Sequence, residues 1–238
     1  MKILLIIPCY NEGKNIRKVS DSILRYNDSH EQKYDALFVN DGSLDNTEQE
    51  LCLCKCNHVT LIQNLGIGGA VQTGYKYAFE HNYDIAVQMD GDGQHDINCV
   101  ENIIAPIRGG VSLVIGSRFV DSSSSEFKSS AFRRIGIKLI SMAIRAKTGK
   151  KILDTTSGFR AIDCSVIKEF ANDYPTEYPE PISTVSVLTS GYKVDEVPVA
   201  MHERENGVSS IRAWKNVYYM INVILSILLQ KGVKNDKS

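Results

Sequence analysis

The chain has almost no net charge. Its 27 Lys and Arg against 28 Asp and Glu leave a formal charge of -1, so no overall positive field points to nucleic acid. It also has no apolar run long enough to cross a bilayer. The longest candidate, Val217–Leu229, covers 13 residues, whereas a spanning helix needs about 20. The N-terminal run Ile3–Ile7 is too short for a signal peptide and no small-residue cleavage site follows it, so the expected compartment is the cytoplasm. Six cysteines are present, but Cys52, Cys54 and Cys56, with His58 after them, have no second pair farther on. A structural zinc site built on paired thiolates is therefore not expected, and the scattered remainder reads as free thiols in a reducing compartment. No Gly-x-Gly-x-x-Gly follows the first apolar run, and no phosphate loop with its Lys and Ser/Thr is found. These two absences disfavour an NAD-type oxidoreductase and an ATPase. There is no internal repeat.

What is present is a packed α/β pattern. The 238 residues, 43% of them apolar, suffice for one large domain or two small ones. Ile3–Ile7 reads as a strand buried on both faces. Asn15 is placed to cap a helix from Ile16, with Val19, Ile23 and Leu24 inward. Further strands are expected at Ala36–Val39, Val59–Ile62, Ile85–Met89 and Leu113–Ile115. Helices are expected over 47–56, over 69–81 with Val71, Tyr75 and Ala78 inward, and from a cap at Asp96 to Pro106 or Arg108. Repeated βα units imply a mostly parallel, Rossmann-like sheet with helices on both faces. Past Val120 the character changes. Asp121–Ser130 is serine-rich and polar and reads as a mobile loop. After it comes a basic amphipathic stretch, in which Arg133, Arg134, Lys138, Arg145 and Lys147 interleave with Phe132, Ile135, Leu139 and Ile144.

In such a sheet the ligand lies beyond the carboxyl ends of the strands, and those ends are loaded with polar residues. The first strand runs into Pro8-Cys9-Tyr10-Asn11-Glu12, the second into Asn40-Asp41-Gly42-Ser43-Leu44-Asp45, and the fourth into Asp90-Gly91-Asp92-Gly93-Gln94-His95-Asp96. Asp90 and Asp92, spaced by glycine, suit one divalent ion whose shell is completed by substrate phosphates. Such an ion neutralises charge on a departing diphosphate. Asp-Gly also makes ordinary turns; the position at the end of a buried strand, with Asp41 on the same rim, favours the metal. Gly66-Ile67-Gly68-Gly69-Ala70 opens a helix, where Gly69 would let an anionic ligand approach the backbone at the helix N-terminus.

These motifs together resemble the family 2 glycosyltransferases. The residues that carry the resemblance are Pro8-x-Tyr10-Asn11-Glu12, Asn40-Asp41-Gly42-Ser43-x-Asp45-x-Thr47, Asp90-x-Asp92-x-Gln94-His95, Gly116-Ser117-Arg118 and Thr156-Ser157-Gly158-Phe159-Arg160, within Lys2–Ile211. The closest group resembles the dolichyl-phosphate mannosyltransferase-like bacterial enzymes of surface polysaccharide assembly. The resemblance implies a GT-A fold, inversion at the anomeric carbon, a Mg or Mn ion and a nucleotide diphosphate sugar donor. It further implies that Pro8, Tyr10, Glu12 and Asp41 hold the nucleoside and that Asp90 lies by ribose and diphosphate. Asp92 and Gln94 would ligate the metal, Arg118 would face phosphate, and Arg204, within His202–Ser210, would sit on a loop closing over the diphosphate.

The acceptor is approached through its chemistry. A phosphate is already anionic near neutral pH, but a sugar hydroxyl needs a base. Glu180, between Pro179 and Pro181, is the expected base, with Glu177 and Asp154 as alternatives. The sequence also lacks the transmembrane tail of the polyprenyl-phosphate sugar synthases. The expectation is therefore an inverting enzyme that extends a lipid-linked saccharide while lying peripherally on the inner face of the cell membrane. A single GT-A domain would occupy 1–212, with a nucleotide-sugar half at 1–118 and an acceptor half at 119–212, followed by an apolar helix and tail at 213–238. Room is left for a homo-oligomer. A polyprenyl-phosphate glycosyl synthase is the nearest alternative. A sugar nucleotidyltransferase would show a Gly-rich basic loop after the first strand, which Pro8–Gly13 does not resemble, and a non-catalytic saccharide-binding module would have no use for Asp90, Asp92 and Gln94 together.

Overall fold

The computed structural model describes residues 1–120, 131–199 and 213–230. The expected loop at 121–130 and Arg204 lie outside these residues. Seven strands form one sheet: β1 (Ile3–Cys9), β2 (Asp35–Asn40), β3 (His58–Thr60), β4 (Ile85–Gln88), β5 (Leu113–Ser117), β6 (Arg160–Asp163) and β7 (Val194–Pro198). Their order is β3-β2-β1-β4-β6-β5-β7. The pairs β2/β3, β1/β2, β1/β4 and β5/β7 are parallel, whereas β6 runs antiparallel between β4 and β5. The mostly parallel α/β sheet is thus as expected. The departure is that β5 does not extend the parallel run beside β4, because β6 is inserted there.

Period-two alternation in β1 sorts the helices onto two faces. Leu4 and Ile6 point to one core, shared with residues of α3 (Gly66–Glu80), α5 (Ala131–Thr148), α6 (Cys164–Asn172), α7 (Pro179–Thr189) and α8 (Ala213–Leu229). Ile3, Leu5 and Ile7 point to the other, shared with residues of α1 (Gly13–Ser29), α2 (Thr47–Leu53) and α4 (Val100–Arg108). Every residue of β1 is buried, which explains why it reads as an unbroken apolar run.

Local expectations hold unevenly. Val71, Tyr75 and Ala78 are buried, and Asp96 accepts from the Asn98 N–H to open the short 3-10 turn before α4. Asn15 is not a cap. The helix begins earlier, with Glu12 in the cap position, and Asn15 instead donates its amide to Glu12 Oε2 at 2.6 Å. Leu24 is half exposed because the buried stripe of α1 runs through Ile16, Val19, Ile23 and Tyr26. Ile62 is fully exposed, since β3 stops at Thr60.

The approach of α3 to β1 depends on Gly74. A Cβ there would fall within the side chain of Ile6. Gly74→Ala sets about 1 kcal/mol of better helix propensity against an overpacking cost of about 1–3 kcal/mol. A net loss on the order of 1 kcal/mol is expected, read as a lower urea midpoint with an unchanged slope. An unaltered midpoint would mean that α3 lifts off β1 freely.

Candidate active site

The site is built around the carboxyl end of β1. On one side Asp41 donates its N–H to Cys9 O at 2.9 Å. On the other, Gly91 lies so close that a Cβ on it would stand 2.9 Å from Cys9 Sγ and 3.0 Å from Pro8 O. The loops after β2 and β4 therefore flank the same strand end, which is the arrangement expected of a ligand crevice in an open α/β sheet.

The loop after β1 is fastened to the loop after β2 by its own motif residues. Asn11, in the left-handed region at φ 56, donates its N–H to Ser43 Oγ at 3.0 Å and accepts from Leu44 N–H at 2.8 Å. Glu12 N–H reaches Thr47 Oγ1 at 3.0 Å and Gly13 N–H reaches Asp45 Oδ2 at 3.2 Å. Burial raises the Asp45 carboxyl, but hydrogen bonds from Thr47 and Gly13 outweigh it and hold the group below its usual range. Asn11, Ser43, Asp45 and Thr47 thus serve as scaffold between the two loops. Tyr10 is left exposed at the rim and Pro8 is buried within β1.

Asp41 is buried, and burial raises its carboxyl. The opposing effect comes from backbone N–H groups at the start of α3, with Leu65 N at 2.7 Å from Oδ1. Besides any role toward a nucleoside, it caps that helix. Gly68 and Gly69 are closely packed. A Cβ on Gly69 would meet the Leu65 side chain, and one on Gly68 would lie 2.6 Å from Thr176. Gly68 and Gly69 are buried, whereas Leu65 and Ile67 at the very start of α3 are exposed and a Cβ on Gly66 would meet nothing within 4 Å.

Asp90 and Asp92 leave β4 on a half-buried turn. Gln94 N–H closes that turn onto Asp92 Oδ1 at 3.0 Å. Asp90 Oδ2 lies 3.2 Å from Nε2 of His95, a buried ring stacked on Phe159 at 4.7 Å between centroids. Opposite Asp90 stands Gly158, where a Cβ would sit 3.0 Å from Asp90 Oδ1 and 3.2 Å from Gln88 Nε2. Any side chain at 158 would fill the space beside the carboxylate. Two oxygen-bearing acids with a bare backbone opposite fit a hard divalent ion with phosphate and water in its remaining positions. Asp90, Asp92 and Gln94 would hold it, and the ion would neutralise diphosphate charge.

Arg118 is not presented to that space. It is buried and forms a two-pronged pair with Asp154, Nε–Oδ2 and Nη2–Oδ1 both at 2.7 Å, with a further bond to Thr156 Oγ1 at 3.2 Å. A carboxylate removed from water needs its cation, so the guanidinium is committed inward. The same pair withdraws Asp154 from the candidate bases. Glu177 is exposed.

Glu180 is brought to the site. It lies in the first turn of α7, with Pro179 at the helix start and Tyr178 at φ 51 before it. Burial raises its carboxyl, the charge of Arg160 opposes this, and Asp90 raises it further. Glu180 and Asp90 therefore share one electrostatic neighbourhood. Arg160, only 2% exposed, donates to Ser157 O at 2.7 Å, Glu180 O at 2.8 Å, and Ser183 Oγ and Thr184 Oγ1 at 3.1 Å each. The sequence identifies Arg160 only as the end of a motif. His95 is likewise identified only as the end of a motif, and Gln88 by none, since a buried amide within a strand has no one-dimensional signature.

Comparison with known proteins agrees with this geometry. The model for Glycosyl transferase family 2 matches residues 4–171. The UDP-N-acetylglucosamine–dolichyl-phosphate N-acetylglucosaminyltransferase of Methanococcus voltae is 32% identical, over 83% of this chain and 84% of that protein. The polyprenol monophosphomannose synthase of Mycolicibacterium smegmatis is 30% identical, over 88% of this chain and 81% of its own length. Among solved structures, glucosyl-3-phosphoglycerate synthase from Mycobacterium tuberculosis, in complex with Mn2+, uridine-diphosphate-glucose and phosphoglyceric acid, superposes with a TM-score of 0.68. It is 17% identical, and the match covers 97% of this chain and 81% of that one, which establishes a common fold. The chain therefore has the GT-A fold and belongs to glycosyl transferase family 2.

Proposed function

We propose that this glycosyltransferase moves a sugar, with inversion, from a nucleotide diphosphate donor to a polyprenyl phosphate, using a divalent ion held by Asp90, Asp92 and Gln94. The observation that carries the acceptor is the pair of relatives named above, which match most of their own length and are named for dolichyl phosphate and polyprenol monophosphate. This replaces the lipid-linked saccharide hydroxyl favoured from sequence. A phosphate oxygen is already ionised and attacks without help, so a base is not required of Glu180. In this reading Glu180 shapes the field at Asp90, and Pro8, Tyr10, Glu12 and Asp41 line the nucleoside end. The hydroxyl reading keeps one support: Glu180 is a half-buried residue whose carboxyl is raised by desolvation and by the charge of Asp90, which is the environment of a tuned base.

The deciding assay offers nucleotide sugars with Mn2+ to polyprenyl phosphate and, separately, to a lipid-linked saccharide, and measures nucleoside diphosphate release. Turnover on the phosphate alone is expected, with Glu180→Gln falling far less than the 10²–10⁴-fold typical of a lost base. Turnover on the saccharide alone, with a Glu180→Gln loss of that size, would restore the hydroxyl reading. Asp92→Asn should keep a native circular dichroism spectrum yet lose transfer on either acceptor, as should EDTA treatment of the wild type. Full activity in that variant would remove Asp92 from the metal.

A lipid acceptor also requires access to a membrane. Among the described residues no helix is long and apolar enough to cross one. On α5, however, Ile135, Leu139 and Met142 form an exposed stripe, and on the adjoining α8 Ile221, Leu225, Leu228 and Leu229 form another. Arg134, Lys138 and Arg145 are exposed on α5. Ile144, expected on this face, is instead fully buried, and Met142 takes its place in the stripe. Paired apolar stripes edged by basic residues suit a helix pair lying in the interface plane. Sedimentation with anionic vesicles at low salt should carry the protein down, and Leu139→Glu with Leu225→Glu should release it. Wild-type protein left in the supernatant would overturn the membrane surface.

A further inference from the structure

We propose that Glu48, Cys52 and His58 form a second metal site, of zinc type, on the outer edge of the sheet. The site is distinct from the Asp90–Gln94 turn. His58 opens β3 at one edge, and β2 and β1 separate it from β4, which carries Asp90.

The sequence alone argues against zinc here, because Cys52, Cys54 and Cys56 lack a second pair. The fold selects a different set. Glu48 and Cys52 are four residues apart on α2 and share a face. The connection after α2 then returns His58 to the same place. His58 Nε2 is 3.1 Å from Glu48 Oε1, Cys52 Sγ is 3.9 Å from that oxygen, and the three ligand atoms lie within 4.8 Å of one another. Tetrahedral zinc, with bonds of about 2.0 Å to nitrogen and oxygen and about 2.3 Å to sulfur, separates such atoms by roughly 3.3–3.6 Å. Small side-chain rotations close the difference. Cys54 and Cys56 take no part, since both pack partly buried against the core beneath α1 and α2.

The hydrogen bonding prepares the set for a cation. His58 Nδ1 lies 2.8 Å from Cys56 O. A carbonyl only accepts, so Nδ1 carries the hydrogen and the neutral ring keeps its lone pair on Nε2. That arrangement, a histidine tied to a backbone carbonyl by one nitrogen with the other free to ligate, recurs at metal centres. Nε2 and Glu48 Oε1 then face each other as two acceptors, and a positive species must stand between them. A proton would serve, giving a simple ion pair. The exposed thiol of Cys52 at the same oxygen adds a soft ligand that a proton does not need and zinc prefers. The remaining Glu48 oxygen is held by Asn40 Nδ2 at 2.8 Å and by the Thr60 hydroxyl, which orients the carboxylate as outer-shell partners do. With three protein ligands, a water completes the tetrahedron. Because Asn40 Oδ1 also accepts from Ser43 N–H at 3.1 Å, a bound ion would clamp α2 and β3 to the loop that carries Asp41.

The probe is Co2+, added to the reduced, EDTA-stripped full-length protein. One equivalent should bind at this site with a thiolate-to-cobalt charge-transfer band and tetrahedral visible bands, and Zn2+ should bleach both. The charge-transfer band should vanish in Cys52→Ser and the tetrahedral spectrum in His58→Gln. Both should persist in Cys54→Ser, in Cys56→Ser and in Asp92→Asn, which separates this site from the other acidic turn. Thr60→Val, which removes only an outer-shell bond, should weaken cobalt binding by about 10–100-fold. A wild-type protein with its thiols reduced and a native circular dichroism spectrum but no charge-transfer band would overturn the proposal and leave a Glu48–His58 ion pair. So would a band that survives Cys52→Ser or disappears in Asp92→Asn.

Discussion

The buried guanidinium of Arg160 organises the second half of the molecule. A cation taken from water needs partners for its donors, and Arg160 finds them for Nε at Ser157 O and for Nη1 at Glu180 O and the hydroxyls of Ser183 and Thr184, while Nη2 stays buried without a protein partner. These partners belong to two separate stretches, the approach to β6 and the first turns of α7. Satisfying one charge therefore fixes α7 against the sheet and delivers the Glu180 carboxyl into the neighbourhood of Asp90. The antiparallel insertion of β6 between β4 and β5 is what makes this geometry available. It places Arg160 opposite Gln88, and Gly158 against Asp90.

The first half is governed by the end of β1. Its neighbours β2 and β4 are parallel to it, so their following loops must emerge at the same rim, and Asp41 and Gly91 both touch it. Residues that look catalytic when read as a string divide into two kinds here. Asn11, Ser43, Asp45 and Thr47 spend their polar atoms holding one loop to the other, and Arg118 and Asp154 spend theirs on each other. Asp90, bonded to His95, and Asp92, bonded to Gln94 N–H, lie on the same rim as Asp41. Preorganisation of this type puts the cost of ordering the site into folding rather than into each binding event.

The α5–α8 helix pair and the sheet edge follow a different logic. The exposed stripes on α5 and α8 are apolar area the core does not use, and the side of each helix opposite the stripe is what anchors it, through Ile140, Ile144, Val223 and Ile227. The cluster at α2 and β3 arises because a short connection brings His58 back over a helix whose own spacing had already aligned Glu48 and Cys52.

The amino-acid sequence by itself determined the buried parallel strands, the helices between them and the three acidic strand-end loops. These depend on periodicity and on short spacings, which a chain carries locally. Family membership was legible for the same reason, since each motif lies within a few consecutive residues. Only the tertiary structure decided what required distant residues to meet. Arg118 was expected at phosphate, and its partner 36 positions away turned it inward. Gly69 was expected beside an anionic ligand, and the structure adds that its Cβ direction is taken by Leu65. The strand β6 was not foreseen, because four residues ending in Asp163 carry too little pattern to stand out. Glu180 was legible as a residue of interest, but its proximity to Asp90 was not. That proximity comes from a buried charge finding its partners across the fold, and no spacing along the chain encodes such a contact.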